Sequence, residues 1–351
     1  MTQVLHTADT HIGTRQYGLE DRRKDFSQAF AQVIQIAIEE EVAAVIHAGD
    51  LFDDRYPSTE DLGDVLRELT KLNQVGIPFL GIVGNHERRR GAQWIDLFAE
   101  LGLAVHLGAE PTYVGDIVVY GLDYSGRREI ELPELDDGVL VAHQMLDQVQ
   151  VVDGELKLEA LVGCGARIVL LGDYHQHKVW RQDGVLITYP GSTERWSLDE
   201  VARRGFNLID LETGRLTRRE FDTRRFIYIA GNEDPIRGID AHPVTGAVVA
   251  VYLKKSGHTV KEIEEYGLTN GALAVQVRDR REDDVGLEQI EVSVEFGDLD
   301  RAVSERLDRM ELSETSREID HITRDREIAD SNVDSEVDKL LTATGGSESD
   351  E

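Results

Sequence analysis

Five short segments in the first half of the chain carry side chains suited to divalent metals: Asp9-Thr10-His11, Gly49-Asp50, Gly84-Asn85-His86-Glu87, His143 and His175-Gln176-His177. Imidazole, carboxylate and amide donors without a thiolate favour Mn, Fe or Zn over a cysteine-rich structural zinc. A pair of ions about 3.5–4 Å apart needs a shared carboxylate with donors on either side, and it can activate water and stabilise a leaving oxygen. Asp50 suits the shared position. Asp9 and His11, like His175 and His177, are two residues apart, so each pair can turn toward one ion if the backbone bends there. Gly49 and Gly84 permit the close backbone approach such a site demands.

The elements that must position these residues follow one rule. Apolar runs at Val4–Ala8, Val42–Ala48, Pro78–Val83, Gly138–Ala142 and Ala166–Leu171 each end just before one of the segments. Phe26, Phe30, Val33, Ile34, Ala37 and Ile38 recur at helical spacing between the first two runs. Leu62, Val65, Leu66, Leu69 and Leu72 predict a second helix, with Ser58 or Thr59 as N-cap. Continuous apolar strands alternating with helices predict an α/β layered core covered on both faces. Ligands then gather at the carboxyl ends of the strands. His6 and His47 lie inside the runs and read as packed core residues. No role is assigned to His106, His242, His258 or His321.

After about Arg225 the chemical motifs stop. Short strands are expected at Phe226–Ala230, Ala247–Leu253, Ala272–Val277 and Ile290–Phe296, with a helix at Val260–Tyr266, together a small α+β capping domain. The domain reading is therefore 1–225 catalytic, 226–298 capping and DNA-binding, 299–343 a helical partner-binding segment, and 344–351 a disordered acidic tail. Ile319, Ile322, Ile328, Val333, Val337 and Leu340 form too sparse a stripe for a core of their own, which suits a helix laid in a partner's groove.

Composition narrows the class. No apolar run is long enough to span a membrane, the N-terminus lacks the pattern of a secretory signal, and the single cysteine, Cys164, reads as a buried filler. A cytoplasmic protein is expected. The net charge of −30 is unusual for a nucleic-acid binder. Of the 38 basic residues only eight are lysine. Either the substrate is not a nucleic acid, or the protein works in molar salt, where the Debye length falls to about 3 Å and surface acid no longer repels DNA at a distance. The acid-rich, lysine-poor surface favours the second, with an acidic protein of ordinary habitat as the alternative.

Taken together, the motifs resemble the calcineurin-like metallophosphoesterase superfamily. His6-Thr-Ala-Asp-Thr-His-Ile-Gly13, Gly49-Asp-Leu-Phe52, Gly84-Asn-His-Glu87 and the later Tyr189-Pro-Gly-Ser-Thr-Glu-Arg195 are similar to the archaeal and SbcD-type nuclease of the double-strand-break repair complex. The motifs cover roughly residues 1–225, and the remainder is similar only in architecture. The resemblance implies a layered αββα core and two divalent ions, most often Mn2+. It implies that Asp9, His11, Asp50 and His177 hold one ion and that Asp50, Asn85, His143 and His175 hold the other. His86 would act on the scissile phosphate, and its pKa would have to suit that role. The implied activities are 3′-to-5′ exonuclease and single-strand endonuclease, on double- and single-stranded DNA ends. The implied partners are a second copy of the chain and a coiled-coil ATPase of the zinc-hook type. Two departures stand out: Asp53 follows Gly-Asp-Leu-Phe where the family often has His, and Asp173-Tyr174 intervene between Gly172 and the final histidine pair.

Arg15, Arg22-Arg23 and Arg88-Arg89-Arg90 flank the motifs and could track a phosphate backbone, or be ordinary solvated loop charge. For the dimer, the stripes on the Leu62–Leu72 helix (with Leu66) and on Trp94–Leu101 (with Phe98) could form a four-helix contact, or could simply pack on the sheet. Two rival functions remain: a phosphatase or small-molecule phosphodiesterase on the same metal core, and a scaffold subunit that binds DNA ends and cuts little.

Overall fold

A computed structural model of the chain describes residues 2–125, 130, 132–149, 155–230, 234–254 and 256–279, together with Ser316 and Ile319. Met1–Asp279 forms one compact unit. The expected strand at Ile290–Phe296 and the tail lie outside the described residues. So does the 299–343 segment, apart from Ser316 and Ile319, both helical.

The first six-stranded sheet is built on β1 (Gln3–Thr7), β2 (Ala44–His47), β3 (Phe79–Gly81) and β4 (Val105–His106), all parallel. β11 (Gly205–Asp210) and β12 (Arg215–Glu220) extend it antiparallel beyond β1. The second sheet has parallel β6 (Ile117–Leu122), β7 (Val139–His143), β8 (Ile168–Gly172) and β10 (Val185–Tyr189). Antiparallel β5 (Thr112–Val114) and β9 (Lys178–Gln182) close its two edges.

Side chains alternate across each strand, and that alternation makes the layers. Val4, Ile46 and Leu80 from the first sheet pack with Val119, Val141 and Leu170 from the second. Their neighbours Leu5, Val45 and Phe79 point the other way, onto Phe30 and Val33 of α1 (Glu20–Glu39), Val65 and Leu69 of α2 (Thr59–Gln74), and Phe98 of α3 (Trp94–Glu100). Leu140, Val169 and Ile187 pack outward onto α4 (Leu158–Gly163). The layered αββα core expected from the sequence is the observed fold. Ser58 caps α2 in a reciprocal box with Asp61, which satisfies two otherwise orphan N–H groups. Seven described strands, β4, β5, β6, β9, β10, β11 and β12, were not foreseen. β4, β5, β9 and β12 lie at sheet edges and are short or largely exposed, whereas β6, β10 and β11 are interior strands.

Residues 226–279 add a parallel three-stranded sheet of β13 (Phe226–Ile229), β14 (Val248–Leu253) and β15 (Ala274–Asp279). It packs on α5 (Pro235–Asp240) and α6 (Val260–Thr269) around Ile229, Val249, Ile263 and Val275. No described helix is long and apolar enough to cross a membrane.

His106 gains a structural role. Its Nδ1 lies 2.7 Å from Asp96 of α3 and its Nε2 3.0 Å from Asp123, whose carboxylate also accepts the Val83 N–H at 2.8 Å. This ion pair ties the edge of the first sheet to the loop carrying Gly84 and Asn85. The hydrogen bond to Asp123, helped by Asp96 and opposed by burial, raises its pKa to about 9. A raised folded pKa stabilises fully below the unfolded value, about 6.5, and that contribution fades as pH rises through about 9. His106→Gln is therefore expected to lower stability at pH 6 by up to about 3 kcal/mol, reduced by screening at this partly exposed site. The wild-type and variant urea midpoints should converge by pH 10. A difference that grows with pH would refute the assignment.

Candidate metal centre

Because the parallel strands share a direction, the carboxyl ends of β1, β2 and β3 meet those of β7 and β8 at one rim. The chain leaves β1, β2 and β8 in the left-handed region at non-glycine residues: Asp9 (φ 51°), His11 (43°), Asp50 (56°) and Asp173 (90°). Such backbone is uncommon outside glycine and costs on the order of 1–3 kcal/mol per residue, so its clustering here marks a functional site. The Asp9, Thr10 and His11 N–H groups donate to Gly49 and Asp50 carbonyls at 3.0–3.1 Å, locking the first two loops together. A Cβ at Gly84 would collide with the Asp50 carboxylate and backbone. Glu87, buried, accepts from the Gly84 and Phe52 N–H groups at 3.2 Å. Burial, together with nearby Asp50, pushes its pKa up to about 7.

Three sets of ligating atoms converge, each within 4.8 Å: Asp9, His11 and His175; Asp9, Asp50 and His143; His11, Asp53 and His86. His143 Nδ1 donates to the Ala48 carbonyl at 2.7 Å, and its Nε2 lies 3.3 Å from Asp50 Oδ2 and 2.9 Å from Asn85 Oδ1. Despite burial, Asp50 holds the His143 pKa well above its usual value. The His175 Nδ1 lies 2.7 Å from Glu200, which is itself held by Arg204 at 3.1 Å, so Nε2 is aimed inward. Burial opposes protonation of His175, but Glu200 and the site carboxylates raise it to about 9. Orienting contacts of this kind set tautomer and ring direction in metal-ligating histidines.

The donors fit a cation. Asp9 Oδ2 is buried without a hydrogen-bond partner. The His11 and His175 Nε2 atoms face each other at 3.1 Å, and two imidazole lone pairs do so stably only with a proton or a metal between them.

The structure redistributes the residues named from sequence. Asp9, His11, Asp50, Asn85, His143 and His175 all come together. His175, expected with the Asn85 side, sits instead with Asp9 and His11. His177 joins none of the three groups. It lies toward Arg218 and Lys178, and burial with those two charges depresses it to about 4. Asp173 lies beside these groups: its N–H donates to Asp9 Oδ1 at 3.0 Å and its carboxylate lies 3.9 Å from His143 Nε2. Burial among Asp50 and Asp9 pushes its pKa up to about 7. His6 and His47 are buried and uncharged, their pKa values pushed to about 3 chiefly by burial.

His86 donates from Nδ1 to the Asp53 carbonyl at 3.1 Å, and its half-exposed ring is edge-on to His11. Asp53 is part of the site: Oδ1 lies 3.2 Å from His11 Nδ1 and 3.1 Å from Trp196 Nε1. Against burial, these contacts hold its carboxyl below its ordinary range. Trp196 was not foreseen, although the Tyr189–Arg195 motif that delivers it was.

Arg22 and Arg23 are held in buried ion pairs. Arg22 is fully buried against Asp25 and Glu194, and Arg23 is enclosed by Glu20, Asp61 and Asp64. Arg89 lies over the Trp94 ring. Arg88 and Arg90 are exposed, and Arg15 pairs with Glu20 at the surface.

Residues 2–177 match the calcineurin-like phosphoesterase family. The chain is 41% identical over 359 residues to the DNA double-strand break repair protein Mre11 of Haloferax volcanii, covering 96% of this chain and 80% of that protein. It is 39% identical over 357 residues to the protein of the same name from Halobacterium salinarum, covering 95% and 92%. The Mre11 of Methanosarcina mazei is 40% identical over 367 residues, and there the chain spans 59% of the relative's length.

Proposed function

We propose that this chain, which belongs to the calcineurin-like phosphoesterase family and is a metal-dependent phosphodiester hydrolase, is the nuclease of a DNA double-strand-break repair complex. The observation that carries the reading is the rim of convergent donors, Asp9, His11, Asp50, Asn85, His143 and His175, within a chain matching proteins named for that repair over most of its length.

We assign one ion to Asp9, His11 and His175 and the other to Asn85, His143 and Asp173, with Asp50 shared. Two bound ions would supply an activated water and charge stabilisation for an in-line displacement. The chain's own residues do the rest. Glu200 and the Ala48 carbonyl hold the His175 and His143 rings with Nε2 inward. The Asp53 carbonyl accepts a hydrogen bond from His86 Nδ1, which leaves Nε2 on the open side; with the ring as imidazolium, Nε2–H would donate to a phosphate oxygen or leaving group. Mn2+, action on double- and single-stranded ends, 3′-to-5′ exonuclease and single-strand endonuclease activity, and a coiled-coil ATPase partner all belong to this reading. Arg88 and Arg90, exposed beside the site, are the motif arginines best able to meet a DNA backbone.

The test compares hydrolysis of linear DNA and of bis(p-nitrophenyl) phosphate with Mn2+ in molar KCl. DNA is expected to be the preferred substrate at salt that would dissociate an ordinary basic binder. Turnover of the small diester without DNA cleavage would favour the small-molecule reading.

A homodimer is proposed through α2 and α3. Phe98 is fully buried and serves the core, whereas Leu97 and Leu101 are exposed at 41% and 56%. Leu97→Glu with Leu101→Glu should give a folded monomer by light scattering. An unchanged dimer would place the contact elsewhere.

A further inference from the structure

We infer that Trp196 is a nucleotide-positioning residue, stacking on a base of the strand whose phosphate is presented to the metal centre. This rests on the DNA reading above. Trp196 is a large aromatic left 41% exposed, yet its ring centroid lies 6.0 Å from His11, 6.0 Å from His86 and 5.9 Å from His175. No other tryptophan is near that rim: Trp94 lies against Phe52 and Trp180 against Tyr189.

The ring is held as a platform while 41% of the residue stays exposed. Its indole N–H donates to Asp53 Oδ1 at 3.1 Å, the same oxygen that lies 3.2 Å from His11 Nδ1. Its backbone N–H donates to Glu200 at 2.9 Å, and its carbonyl accepts from Gln16 at 2.7 Å. Glu200 also orients His175, so one carboxylate sets both a proposed ligand and the platform beside it. A fixed aromatic face is suited to a base: stacking is sequence-tolerant because every base has a π-face, and it needs no positive charge. That matters in a chain with a net charge of −30, whose motif arginines at 22 and 23 are enclosed by carboxylates. Asp53, which departs from the family's histidine, thereby acquires a specific task, fixing the indole edge.

The experiment is a chemical double-mutant cycle. Binding of a fluorescent oligothymidylate is measured by anisotropy in Ca2+, beside a series in which a single abasic unit is moved inward from the 3′ end. Wild-type protein is expected to lose affinity about 5- to 150-fold when the abasic unit reaches one or two adjacent positions. Trp196→Leu, which keeps apolar volume without an aromatic face, should bind the intact strand weakly by the same factor and show no positional penalty. Trp196→Phe should recover the penalty at the same positions. A penalty that persists in Trp196→Leu, or a wild type indifferent to every abasic position, overturns the inference while leaving the DNA reading intact. Wild-type protein that binds none of the oligonucleotides overturns both.

Discussion

Asp50→Ala is expected to abolish binding of both ions and to lower phosphodiester turnover by at least on the order of 10³-fold, the scale on which losing one preorganised charge-stabilising group registers. The carboxylate reaches both halves of the site. Its Oδ2 lies 3.3 Å from His143 Nε2 and 3.8 Å from His11 Nε2, and its Oδ1 accepts the His86 N–H at 3.0 Å. Removing it separates the His11–His175 side from the Asn85–His143 side and releases the loop that carries His86. His86→Ser supplies the contrast. That side chain hydrogen-bonds the Asp53 backbone, is part-exposed and lies outside the two proposed ion sites, so turnover should fall comparably while calorimetric titration still finds two ions. Two ions bound by Asp50→Ala would refute its shared position, and loss of both in His86→Ser would make His86 a ligand. Asp173→Ala and His177→Ala separate the two readings of the last pair: the first should lose an ion, the second should not.

The second large effect is on stability. Asp25 of α1 is expected to be worth about 3–5 kcal/mol, the usual cost of removing one partner from a buried ion pair. Its Oδ2 accepts Arg22 and Arg224 at 2.5 Å, and Oδ1 accepts Arg224 again at 2.7 Å. Arg22 is fully buried, packed over Phe26 and Phe226, and otherwise has Glu194 at 3.4 Å, the Arg195 carbonyl and Gln16. Asp25→Ala thus strands a buried guanidinium and frees Arg224, which enters the 226–279 sheet from the catalytic side. The urea midpoint in molar KCl should fall by that amount with an unchanged slope. Arg22→Met combined with Asp25→Leu should recover part of the loss, because the buried guanidinium goes together with its partner, while Glu194 and Arg224 each lose one contact. If Asp25→Ala costs less than about 1 kcal/mol, the network contributes little to joining the two parts.

The separate contributions of sequence and fold can be read at particular residues. Strand-end placement of Asp9, Asp50, Asn85 and His143 was legible because apolar runs and polar stops are local features, and parallel strands must present their carboxyl ends together. Helices α1 and α2 and the Ser58 cap were legible for the same reason: their periodicity and end chemistry lie within about twenty residues. The placement of the last motif residues was not. Two-residue spacing puts side chains on one side only while the backbone stays extended, and the chain leaves β8 through a left-handed Asp173. That turn sends Asp173 and His175 into the site and His177 away from it. Arg22 and Arg23 look in the sequence like loop cations beside a motif. Only long-range packing brings Glu194 and Asp61 onto them and converts them into buried structure. Asp53, Trp196 and His11, far apart in the chain, meet because two loops from opposite sheets close over one rim. Contacts of that kind depend on where the sheets stack, and no local pattern encodes them.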